Sequence, residues 1–98
     1  MGGILSAGIA QRVWGQALAR LSRWKEAERH LAASIHALLL DEYLLEAART
    51  RVVWGLLCRE RGDTASAQGH LEQATAQFKA SGLIRELETV NGYLAQMM

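Results

Sequence analysis

Val13-Trp14-Gly15 returns 40 residues later as Val53-Trp54-Gly55, and the likeness spreads outward from that tripeptide. Leu5, Ala7, Ala27, His30 and Leu31 recur at the same offset as Leu45, Ala47, Ala67, His70 and Leu71. Eight identities in one comparison, the rare residue tryptophan among them, mark an internal repeat. A fixed period of this length signals a repeat architecture, in which each unit buries its apolar face only against its neighbours. Chains of this kind generally act as scaffolds that present a surface.

Ninety-eight residues make one domain at most. Half of them are apolar and 21% are charged, as in an ordinary globular domain. Lys plus Arg number 11 against 10 Asp plus Glu, so no basic excess calls for nucleic acid. A single cysteine, Cys58, excludes an internal disulfide framework and fits a reducing, cytoplasmic setting. No apolar run reaches the ~18–20 residues that cross a bilayer, so a membrane partner is not expected. Met1-Gly2-Gly3-Ile4-Leu5-Ser6 matches the short M-G-x-x-x-S pattern for N-myristoylation. That pattern is weighed against a plain chain start, and the plain start is preferred.

Proline is absent and Ala, Leu, Glu, Arg and Gln dominate, which favours long helices. Apolar residues recur at three and four rather than alternating. The spacing predicts five helices, over about 4–21, 24–39, 43–61, 63–79 and 83–96. The first is expected to bury Ile9, Val13, Trp14, Ala17, Leu18 and Leu21, and the second Ala27, Leu31, Ile35 and Leu38. The third places Leu44, Ala47, Ala48, Val52, Leu56 and Leu57 around its surface. The fourth buries Ala67, Leu71, Ala74 and Phe78, and the fifth Leu83, Leu87, Val90 and Leu94. Gly62 suits the left-handed residue after a helix, Asp63 the N-cap of the next, and Ser81-Gly82 a further stop. Loops this short force antiparallel neighbours.

Gly15 precedes Ala27 by twelve residues and Gly55 precedes Ala67 by twelve. Leu31 and Leu71 follow those alanines by four, and Ala74 follows Ala67 by seven. This spacing resembles the tetratricopeptide repeat (TPR), a helix–turn–helix unit. The resemblance implies an all-α, right-handed superhelical solenoid of two and a half repeats, covering about 4–40, 43–81 and a half-repeat helix at 83–96. It makes Trp14, Gly15, Ala27, Leu31, Trp54, Gly55, Ala67, Leu71 and Ala74 the helix-packing residues. The 40-residue period exceeds the family's usual ~34, no proline closes a repeat, and Trp stands where leucine is usual. Longer repeats of this style are similar to those in sensor regions of large bacterial ATP-dependent transcription regulators and nucleotide cyclases.

No reaction chemistry is expected. His30 and His70 occupy equivalent half-exposed positions, and His36 lies six residues from His30, too far round the helix to share a metal. Cys58 has no ligand neighbour and belongs to the core. Arg61-Gly62-Asp63 spells an adhesive tripeptide but spans a helix junction. No phosphate loop or nucleophile elbow occurs. Neither a cofactor, a metal nor a small-molecule substrate is expected.

The resemblance implies that first helices line a concave face. That face would hold Ile9, Arg12, Gln16 and Arg20, then Arg49, Val52, Leu56, Arg59 and Glu60, with Thr89, Gly92 and Gln96 beyond. Four arginines with apolar residues between them suit an acidic or C-terminal-carboxylate peptide. The alternative is a solvated face whose arginines pair with nearby acids. The asparagines of carboxylate-clamp TPRs are missing, with Gln16 and Val53 in their place. The terminal helices carry apolar residues on nearly every side. A second reading is therefore a self-associating module, a homodimer through an uncapped terminal helix pair, or a piece of a longer array.

Overall fold

The computed structural model describes residues 3–97; of Ile4 only the helical backbone is described, and the N-myristoylation pattern's Met1 and Gly2 lie outside the described residues. Five helices follow in order: α1 Gly3–Arg20, α2 Trp24–Leu40, α3 Leu44–Glu60, α4 Thr64–Ala80 and α5 Ile84–Gln96. The described residues contain no strand. The expected boundaries hold to within one or two residues. α1 packs on α2 and α3 on α4 as helix pairs, α2 joins the two pairs, and α5 lies on α4. The result is a slab 40 × 34 × 16 Å.

The turns explain why the spacing is so regular. Ser22, Glu42, Gly62 and Gly82 all take positive φ, at 60°, 61°, 87° and 71°. Each is followed by a residue whose N–H reaches back to the helix: Arg23 to Leu18 O, Tyr43 to Leu38 O, Asp63 to Cys58 O and Leu83 to Phe78 O, at 2.9–3.0 Å. These are Schellman closures, and the closing residue is also the N-cap of the next helix. Asp63 alone of these four caps with its side chain, accepting from Ser66 N at 3.2 Å. One joint thus recurs every 20 residues, within pairs and between them.

The tripeptide glycines sit where backbones touch. A Cβ on Gly15 would lie 2.8 Å from Leu31 Cγ and 3.1 Å from the Ala27 carbonyl oxygen. A Cβ on Gly55 would meet Leu71 and Ala67 at the same two distances. The leucine contacts would have to yield and the carbonyl contact is tighter than an ordinary one, so a larger residue would push the two helices apart by a few tenths of an ångström. Gly8 makes a further close approach, to Leu38.

The second helices bury the residues expected of them: Ala27, Leu31, Ile35 and Leu38 in α2, and Ala67, Leu71, Ala74 and Phe78 in α4. α1 departs from expectation. Val13, Trp14, Ala17 and Leu21 were expected inward, yet all four are exposed, Trp14 by 56% and Leu21 by 67%. The buried side of α1 is instead Gly8, Gly15, Leu18 and Ala19. Their burial follows from geometry, because α1 has a helix pair on one flank only. Leu44 is likewise exposed, while Val52, Leu56 and Leu57 are half-buried.

Candidate interaction face

α1, α3 and α5 run side by side and are tied by a ladder of charges. Arg12 donates to Glu46 Oε1 at 3.1 Å, to the Glu46 carbonyl at 3.2 Å and to Thr50 Oγ1 at 3.4 Å. Arg49 donates back to Glu46 on its own helix and reaches Glu86 on α5 with both Nε (3.0 Å) and Nη2 (2.6 Å). Glu46 and Glu86 are 40 residues apart, one repeat. Burial pushes the Glu46 carboxyl up, but bonds from Arg49 and Arg12 more than offset it and leave the pKa below the ordinary value. The hydrogen bond from Arg49 holds the Glu86 carboxyl below its ordinary value as well, and the Arg49 guanidinium is raised, foremost by its bond to Glu86.

Below that ladder the first junction is polar and dry. Ser34 and Thr50 are fully buried. Ser34 Oγ lies 2.7 Å from the Gly8 carbonyl and 3.0 Å from Thr50 Oγ1. A carbonyl only accepts, so Ser34 donates to Gly8; the Thr50 hydroxyl shares its proton between Ser34 Oγ and the Glu46 carbonyl at 3.3 Å, and its oxygen accepts from Arg12. No buried polar side-chain atom is left unpartnered among the described residues.

The nine residues of α1 and α3 assigned to this face divide by what already holds them. Arg12, 15% exposed, and Arg49 are structural: their forks are spent on Glu46 and Glu86. Arg59 donates to Gln96 Oε1 at 3.3 Å and sits 5.6 Å over the Tyr93 ring. Gln16, Arg20, Leu56 and Glu60 line an open groove of about 400 Å³ between α1 and α3. Ile9 and Arg49 border a second of about 490 Å³ near Tyr43. Arg49 and Val52, with Arg85, Thr89 and Tyr93, border a third of about 240 Å³ between α3 and α5. Among the described residues, Arg20 and Arg85 make no ion pair. The pairing of Arg12 with Glu46 was not read from the sequence, although the signal was present as an acid one repeat-helix away.

The two tryptophans of the repeat stack on the two repeated histidines. Trp54 lies 4.2 Å from His70 and Trp14 lies 4.4 Å from His30, ring centre to ring centre. Trp14 stacks on His30 of α2 yet stays 56% exposed, which corrects the expectation that it packs inside. Trp54 is half-buried against Ile35, Leu38 and Ala47, and its Nε1 donates to Glu28 at 3.3 Å. Burial, with Arg51 beside it, holds the His70 pKa below its ordinary value. Cys58 is buried as expected, and burial pushes its thiol up to about 11, far from nucleophilic use. In the Arg61-Gly62-Asp63 turn, Arg61 stacks over Trp24 at 5.1 Å and Asp63 caps α4, so the tripeptide is part of a joint. No group of three or more His, Cys, Asp or Glu is placed to hold a metal among the described residues. None of the described helices is long and apolar enough to cross a membrane.

A family model described as T7SS, ESX-1 secretion system protein EccA1, N-terminal domain, matches residues 4–87. No curated protein and no solved structure matches the chain.

Proposed function

The chain belongs to the family of N-terminal domains of the ESX-1 secretion system protein EccA1, and from that membership we propose that it is a non-catalytic interaction module of TPR type. Its α1–α3–α5 face receives an extended segment of a partner protein and serves as the regulatory part of a larger protein. The observation that carries this reading is the set of three grooves bordered by α1, α3 and α5, two of which are lined by an arginine without an ion pair, Arg20 and Arg85. Arg12 and Arg49 tie the three helices together, and Arg20, Leu56 and Arg85 supply contacts. Unpaired arginines beside apolar residues favour an acidic segment.

The test uses fluorescein-labelled acidic and basic eight-residue peptide libraries, read by anisotropy. Acidic peptides are expected to bind, and Arg20→Glu to weaken them about tenfold, the loss of one charge-assisted contact. Equal binding of basic peptides, or indifference to Arg20→Glu and Leu56→Glu together, refutes the reading.

A further inference from the structure

Ala7, Ala10, Trp14, Ala17 and Leu21 form one stripe along α1, spaced by three and four, and every one is exposed. One repeat later the same positions are Ala47, Thr50, Trp54, Leu57 and Arg61, and there α2 covers them. Ala47 and Thr50 are fully buried or nearly so, Trp54 and Leu57 half-buried, and Arg61 lies on Trp24. The molecule thus shows the same surface twice, once sheathed and once bare, and the sheathed copy specifies what fits. Its cover is an amphipathic helix that gives the indole N–H a carboxylate, Glu28, and sets Ile35 and Leu38 two to three turns further on against the alanine end of the stripe.

We propose that the bare stripe of α1 docks an amphipathic helix of a partner protein, with an Asp or Glu of that helix accepting from Trp14 Nε1. Charge agrees with this. α1 has no carboxylate, so an incoming acid meets no repulsion from it. Shape agrees as well. Three alanines beside one tryptophan let a helix approach closely around a single large anchor. This surface is distinct from the grooves and does not depend on them.

The probe is a labelled synthetic peptide of residues 23–41, carrying Trp24→Phe, titrated into the intact chain and read by anisotropy. The peptide is expected to bind saturably. Ala10→Glu, at an exposed helical position, is expected to weaken binding about tenfold without moving the thermal midpoint. A peptide with Glu28→Gln is expected to bind about fivefold more weakly than its parent. Arg20→Glu, which probes the grooves, leaves this binding unchanged. Absence of binding, or binding indifferent to Ala10→Glu, overturns the proposal. A dimer in sedimentation that Ala10→Glu dissolves also overturns it, because a second copy then occupies the stripe.

Discussion

The two junctions of the molecule use the same backbone places for opposite chemistry. Where the first pair meets α3, Ser34 and Thr50 form a dry hydroxyl bridge to the Gly8 carbonyl. One repeat later their counterparts are Ala74 and Val90, packed with Leu71 and Phe78 in a continuous apolar cluster. Leu38 of the first junction becomes Phe78 in the second. An apolar junction is strong but indifferent to small sliding, since dispersion has little direction. A hydroxyl bridge adds less energy and favours one register, because its bonds are directional.

The largest effect is expected from breaking the apolar junction. Phe78→Ala removes the largest fully buried side chain and should cost about 3–5 kcal/mol in urea unfolding. Ser34→Ala strips the Gly8 carbonyl of its side-chain donor and leaves the Thr50 hydroxyl only the Glu46 carbonyl to donate to, and should cost about 1 kcal/mol. Adding Thr50→Val then copies the second junction into the first. The double variant should regain part of that loss, because fewer buried polar groups are orphaned. A double variant weaker than the sum of its singles would refute the proposed equivalence.

Acid separates the junctions next. Glu46 serves both and Glu86 only the second. Both carboxyls have folded pKa values below the ordinary 4.5, so their contribution is present above that pH and fades as pH falls through the lowered values. Midpoint against pH should therefore flatten more in Glu46→Gln than in Glu86→Gln. The smallest effect concerns the joints. Glu42 occupies at the first junction the left-handed position that Gly82 fills at the second. Glu42→Gly relieves about 1–2 kcal/mol of strain against added freedom of the unfolded chain, for a net gain of about 0.5–1 kcal/mol.

Much of this architecture is legible in the sequence, because the signals are local. Gly15 with Ala27 and Gly55 with Ala67 encode a close helix contact, and α2 and α4 bury the apolar positions their spacing names. Trp14 shows where legibility stops. It and Trp54 share their neighbours in sequence, yet one is exposed and the other half-buried. The difference comes from α2 lying over Trp54, which no periodicity within α1 or α3 encodes. The particular partners of the arginines were not legible for a related reason. Arg12 and Glu46 are 34 residues apart, and their meeting depends on the crossing of α1 with α3.

The recurrent joint has a consequence for how such a molecule grows and shrinks. Ser22 and Gly62 link helices inside a pair, and Glu42 and Gly82 link one pair to the next, yet all four close by the same bonds. An odd number of helices therefore meets no special difficulty at the backbone. At the level of the backbone the unit is one helix with its closing turn, twenty residues long, whereas the side chains laid upon it repeat every forty.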